Sequence, residues 1–203
     1  MNSLGNDESK YAQGIIKAAF KDHSDLIEFI IKDTTIVVNI QDTSMAIIEA
    51  LKKGGKLLLC GNGGSAADSQ HIATELVSKF FKDRKAFNAE ALTVNTSSLT
   101  AIGNDCGFDK IFSRQVEAKI KPGDVLIGIS TSGNSANVVE AIMIAKKMGA
   151  VTICMIGGDP QCALASISDY CISVPSLCTP RIQEAHILIG HIMCEMIENV
   201  LSS

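Results

Sequence analysis

From residue 56 onward, short apolar runs alternate with segments of helical period. That alternation narrows the possible folds more than any other feature. Residues 56–60, 90–95, 124–130, 150–156 and 169–174 read as strands. Residues 64–80, 97–104, 111–119, 135–148 and 181–201 read as helices. Strands separated by helices pair in parallel, and helices then cover both faces of the sheet. The expectation is an α/β, three-layer sandwich with a five-stranded parallel sheet. A turn signal, Lys121-Pro122-Gly123-Asp124, stands just before the third strand.

Before residue 56 the pattern predicts two helices. Ser9 to Lys32 carries Ile15, Ile16, Ala19, Phe20, Leu26, Ile27, Ile30 and Ile31 at roughly helical spacing. Thr35 to Lys53 follows and ends at Gly54-Gly55. The β-branched stretch Thr35-Ile36-Val37-Val38 is a poor helix former and pulls against this assignment. Apolar residues cover more of both helices than one contact face needs. These helices are therefore expected to be used in oligomerisation.

Two strand-to-helix junctions are rich in glycine and hydroxyls. Gly61-Asn62-Gly63-Gly64-Ser65 follows the first strand, and Ser130-Thr131-Ser132-Gly133-Asn134-Ser135 follows the third. Such a junction aims free N–H groups, and the positive end of a helix dipole, at its ligand. Glycine allows close approach and the hydroxyls add donors. Two such loops on one sheet suggest a phosphorylated ligand held at one pole. The first loop also fits G-x-G-x-x-A, the loose dinucleotide pattern. That fold needs an acidic residue at the end of the next strand, and Asn95 stands there; Glu90 is at the wrong end.

Composition excludes several classes. A chain of 203 residues, 46% hydrophobic and 20% charged, suits one domain with a full core. The net charge of −4 and the lack of a basic block argue against nucleic acid as a partner. Every apolar run is interrupted well short of the ~18 residues a membrane span needs. Met1 to Lys10 is polar and lacks a signal-peptide apolar core, so a cytoplasmic location is expected. The seven cysteines are odd in number and show no C-x-x-C spacing. They read as buried, reduced thiols rather than as disulfides or a thiolate zinc site.

Histidine occurs four times. His71 and Glu75 share a helix face at i, i+4, and Gln183, His186 and His191 lie on the last helix. A His-x-x-x-Glu face suits a metal ion, or an acid beside a base. His186, among Ile182, Ala185 and Ile189, reads as a hydrogen-bonded structural histidine, and His23 as a solvated one.

Taken together, Gly61-Asn62-Gly63-Gly64-Ser65-Ala66-Ala67-Asp68, His71-x-x-x-Glu75, Asn104-Asp105, Ser130 to Ser135 and Arg181-Ile182-Gln183-Glu184 with His191 resemble the phosphoheptose isomerases. These are enzymes of the sugar-isomerase (SIS) superfamily. The resemblance runs from about residue 8 to the C-terminus. The serine loops alone mark the superfamily, which includes sugar-phosphate-binding regulators without catalysis. The His71/Glu75 and Gln183/His191 pairs narrow it to the isomerases; the alternatives are such a regulator, or an isomerase of another sugar phosphate.

The resemblance implies a flavodoxin-like SIS fold, with 1–55 as an N-terminal helical segment and 56–203 as the sugar-phosphate-binding domain. It implies a homotetramer with active sites shared between subunits. The reaction implied converts sedoheptulose 7-phosphate to D-glycero-D-manno-heptose 7-phosphate, the first step towards ADP- or GDP-heptose. One Zn²⁺ per subunit is implied on His71, Glu75, Gln183 and His191. Glu75 and His191 are then the catalytic pair. Asn62, Gly63, Ser65, Asn104, Asp105, Ser130, Thr131, Ser132, Ser135 and Gln183 bind substrate. One departure is Leu76-Val77-Ser78-Lys79, where many members carry Leu-Thr-Gly-Arg; lysine keeps the charge but not the bidentate geometry. Gln183 and His191 lie ~12 Å apart along a helix, which raises a subunit boundary near that helix as an alternative.

Overall fold

The computed structural model describes residues 6–202. Met1 to Gly5, half of the polar stretch read as lacking a signal sequence, lie outside the described residues, as does Ser203. Five parallel strands form one sheet in the order β2-β1-β3-β4-β5. They are β1 (Leu57–Gly61), β2 (Ala89–Ala91), β3 (Val125–Ser130), β4 (Val151–Ile156) and β5 (Tyr170–Ser173). The helices are α1 (Asn6–Lys32), α2 (Thr34–Lys52), α3 (Gly64–Val77), α4 (Thr96–Cys106), α5 (Ser113–Lys119), α6 (Ala136–Lys147), α7 (Ala163–Ile167) and α8 (Thr179–Leu201).

Every residue of β1 and β3 is buried, which is why these central strands read as unbroken apolar runs. Successive side chains point to opposite faces and feed two cores. Leu57, Leu59, Ile127 and Ile129 pack with α2, α3 and α8; Leu58, Cys60 and Leu126 pack with α5 and α6. The strand order reverses beside β1 and β3, so the β1–α3 and β3–α6 loops open side by side. That crevice at the carboxyl ends of the strands is where open α/β sheets bind ligands.

The differences from the expected elements have local causes. The second strand was expected over 90–95 but ends at Ala91. Leu92 makes one more sheet bond, its N–H donating to Leu59 O at 2.8 Å. Asn95 then caps α4, its side chain accepting from the Ser98 N–H at 2.9 Å. Asn95 is thus a helix cap, not a strand end. The helix expected over 64–80 ends at Val77, and the segment beyond it is bound by side chains described below. The short α7 and a 3-10 turn, Phe108–Lys110, carry too little period to be read in advance. The β-branched start of α2 is helical because Asp33 caps it, accepting from Thr35 and Ile36 N–H groups.

Candidate active site

The β3–α6 loop is a knot of hydroxyls. Ser130 is buried, and its Oγ lies 2.9 Å from Ser135 Oγ and 3.4 Å from Ser132 Oγ. Gly133 turns the chain at φ +67°, where a Cβ would also strike Cys162. Thr131 O accepts from the Gly157 N–H, tying the loop to the end of β4. In the β1–α3 loop, Gly63 has φ +54° and Ser65 is buried. The two loops are joined by Asn62 and Asn137, whose side-chain amides exchange hydrogen bonds at 2.8 and 2.9 Å. Asn137 was missed in the sequence; a polar side chain in an otherwise apolar helix start was the only signal.

The second group of polar residues comes from packing α8 alongside α3. His71 Nε2 lies 3.2 Å from Glu75 Oε1 and 3.2 Å from His191 Nε2. The donor atoms of the three residues all lie within 4.8 Å of one another. The His71 and His191 rings meet edge to face at 4.8 Å, and the Phe80 ring lies 5.6 Å from His191. Phe80 had no signal in the sequence. A cation fits this set. A single Nε2 cannot donate to Glu75 and also offer a lone pair to His191. A metal ion uses the lone pairs of all three. Two of the three separations, 3.2 Å from His71 to Glu75 and to His191, are close to the edge, about 3.3 Å, of a tetrahedron with bonds of 2.0–2.1 Å; the third pair lies within 4.8 Å.

Other expected residues lie elsewhere in the chain. The Gln183 side chain packs on Gly64, leaving no room for a Cβ there. Gly64 precedes His71 by about 10 Å of helix rise, so one chain does not gather Gln183 with the other three. Asn104 and Asp105 are exposed at the end of α4, Asn104 Nδ2 donating to Asp105 Oδ1 at 2.7 Å. Lys79 is exposed just past α3. Asp68, one turn before His71, has one buried carboxylate oxygen without a partner. Burial pushes its pKa up to about 6, against the pull of His71.

The remaining histidines and the cysteines divide between expected and unexpected surroundings. His186 is fully buried, and its Nε2 donates to Ile156 O at 3.0 Å, as a structural histidine does. His23 is not simply solvated: its Nδ1 lies 2.9 Å from Glu184 Oε2, and Glu184 also pairs with Arg181 at 2.8 Å. All seven cysteines are free, but Cys106 and Cys178 are exposed, since both fall at helix ends rather than inside apolar runs.

A family profile described as SIS domain matches residues 20–157. The chain is 52% identical over 186 residues to phosphoheptose isomerase 2 of Campylobacter jejuni, covering 92% of each. It is 54% identical over 189 residues to the phosphoheptose isomerase of Clostridium acetobutylicum, covering 93% of this chain and 96% of that one. The solved phosphoheptose isomerase of Neisseria gonorrhoeae superposes with a TM-score of 0.87 at 42% identity, covering 93% of this chain and 99% of that one.

Proposed function

The chain belongs to the phosphoheptose isomerases of the SIS-domain family, and from that premise we propose how its residues divide the work of sugar isomerisation. The protein is an aldose–ketose isomerase of heptose biosynthesis. Its substrate is sedoheptulose 7-phosphate and its product D-glycero-D-manno-heptose 7-phosphate. The observation that carries the catalytic reading is the gathering of His71 and Glu75, on the helix that begins at the first ligand loop, with His191 of α8.

Hydroxyls of Ser65, Ser130, Thr131, Ser132 and Ser135 hold the phosphate, with Asn62 and Gly63 forming the floor. Asn104, Asp105 and Gln183 hold sugar hydroxyls. Glu75 takes a proton from C1 and returns it to C2, through an enediol. His191 gives a proton to the C2 oxygen and takes the one from the C1 hydroxyl, so the protons balance. His71, Glu75 and His191 would hold a Zn²⁺, with Gln183 of a neighbouring subunit completing the family set. When bound, the ion polarises a carbonyl and offsets developing negative charge. Direct ligation makes Glu75 a weaker base, so the two roles compete.

Assembly as a homotetramer with shared sites is supported by the bare apolar side of α1. Tyr11, Ile15, Ile16, Phe20 and Ile31 are all more than half exposed in the single chain. Residues 1–55 then serve assembly and 56–203 bind the sugar phosphate, although α2 shares the main core with α8. Seven unpaired thiols suit a reducing cytosol. No helix among the described residues is long and apolar enough to cross a membrane.

The test is turnover of sedoheptulose 7-phosphate by the purified protein, with and without a chelator. Turnover that a chelator abolishes and Zn²⁺ restores supports both the substrate and the ion. Turnover untouched by a chelator removes the ion from the mechanism. No turnover of this sugar by metal-loaded protein overturns the substrate.

A further inference from the structure

Outside the loops and the His–Glu–His cluster lies a second polar assembly, the ion pair of Arg84 and Glu198. Both side chains are almost wholly buried, at 4% and 1% exposure. Glu198 Oε1 accepts from the Phe80 N–H at 3.0 Å and from Arg84 Nε at 3.0 Å. Its Oε2 accepts from the N–H groups of Phe81 at 2.8 Å and Lys82 at 3.0 Å. Burial opposes the charge on Glu198, yet the N–H groups of Phe81, Phe80 and Lys82, with Arg84, hold its pKa below the ordinary value.

Arg84 is as fully engaged. Its Nη2 donates to Glu75 O at 2.8 Å. Its Nη1 donates to Leu76 O at 2.8 Å, Lys85 O at 3.1 Å and Ser78 O at 3.3 Å. The guanidinium also lies 4.0 Å from the centre of the Phe87 ring. These carbonyls include the open ones at the end of α3, so Arg84 closes that helix with positive charge at its negative end. A buried ion pair gives little net stability over apolar packing, so full satisfaction at this place points to a positional role.

The place matters because the pair bonds the backbone of one reacting residue and the backbone of a residue packed on the other. Arg84 holds the backbone carbonyl of Glu75 itself. Glu198 stands seven residues, two turns, beyond His191 on the same side of α8. The N–H that Glu198 holds at Phe80 belongs to the residue whose ring covers His191. We propose that Arg84 and Glu198 are a positioning pair that sets Glu75 against His191, with Phe80 as the side chain through which the pair bears on His191. The proposal rests on the isomerase reading of the cluster and adds to it a residue pair remote from substrate. Displacement of a reacting group by ~1 Å costs about a hundredfold in rate, so a staple across α3 and α8 controls turnover without touching the sugar.

The test uses the full-length protein, uniformly labelled at its four histidines with ¹⁵N. Wild-type turnover of sedoheptulose 7-phosphate is measured first; its absence counts against the isomerase reading alone, and the histidine spectra then decide the positioning pair. In Glu198→Gln, kcat per folded protein should fall about 10–100-fold, as for lost supporting contacts at metal sites, with KM within about twofold. The ring signals of His71 and His191 should move while those of His23 and His186 stay. Arg84→Lys keeps the charge but not the fork and should lie between the two. If Glu198→Gln does not fold, Arg84→Lys, which keeps the buried charge, carries the same kcat and histidine-signal test. A folded variant with kcat within twofold of wild type, or with unmoved His71 and His191 signals, overturns the proposal.

Discussion

The serine loop after β3 and the His71–Glu75–His191 cluster are built in opposite ways. The loop draws its hydroxyls from residues 130–135, and those hydroxyls are bonded to one another. Its shape follows from a strand end, a glycine at φ +67° and a helix start. The cluster draws on α3 and α8, and its closing contact joins residues 120 positions apart. A loop made from consecutive residues can grip a fixed charge such as phosphate. A cluster made from two helices can be tuned, because small shifts of one helix change its spacing. Binding and chemistry thus depend on different parts of the chain and should fail separately.

The largest effect should come from the cluster. Glu75→Gln keeps the size of the side chain but removes the base. General-base catalysis is worth ~10²–10⁴-fold, so kcat should fall by that much with KM little changed. Incorporation of solvent deuterium into product should vanish with it. If excess Zn²⁺ restores part of the rate, Glu75 acts as a ligand and not as the base. A near-normal kcat would falsify the catalytic assignment.

The loop should fail in the other parameter. Ser130→Ala combined with Ser132→Ala removes two donors to a charged oxygen, each worth ~1.5–3 kcal/mol. KM should rise at least tenfold in steady-state assays, and kcat at saturation should change much less. An unchanged KM would remove this loop from the site. A fall in kcat alone would erase the distinction between the two regions.

A smaller effect should follow from the loop's backbone. Gly133→Ala puts a Cβ at positive φ, a conformation costing roughly 1–2 kcal/mol outside glycine, and drives it into Cys162. Thermal unfolding should shift down by several degrees, and KM should rise with it. A variant as stable as wild type would mean that the loop yields freely.

The same contrast explains what could be read from the sequence. The loops, the five strands and the long helices carry signals within a few residues, so periodicity and glycine placement exposed them. Membership of His71, Glu75 and His191 in one site came through family resemblance. An i, i+4 pair says nothing of a histidine 120 positions on. Sequence reasoning missed what depends only on packing: the Asn62–Asn137 amide pair, Phe80 over His191, and the Arg84–Glu198 staple. The segment from Ser78 to Asn88 has no period and no glycine, and its structure is written in a charge 114 positions away. The strand expected to reach Asn95 stops early for a local reason: a helix cap three residues long in sequence outcompeted strand propensity.

His186 sharpens the comparison most finely, since it stands on α8 with His191 but serves the other pole. Its Nε2 holds Ile156 O, one residue before the Gly157 N–H that ties down Thr131. Burial lowers its pKa to about 4, with the Ile156 hydrogen bond opposing. The unfolded chain, with a pKa near 6.5, therefore takes up a proton first as pH falls. The stability tied to neutral His186 is complete above about pH 6.5 and is lost progressively towards pH 4. Between pH 7 and pH 5 the loss should be on the order of 2 kcal/mol. In His186→Gln the new side chain cannot titrate, yet its amide can still donate to the Ile156 carbonyl. Urea unfolding of this variant should therefore show a shallower acid limb than wild type, with turnover at pH 7.5 within about threefold. Equal acid limbs would mean that other groups set the acid sensitivity. A turnover loss as deep as that of Glu75→Gln would move His186 from the fold into the chemistry.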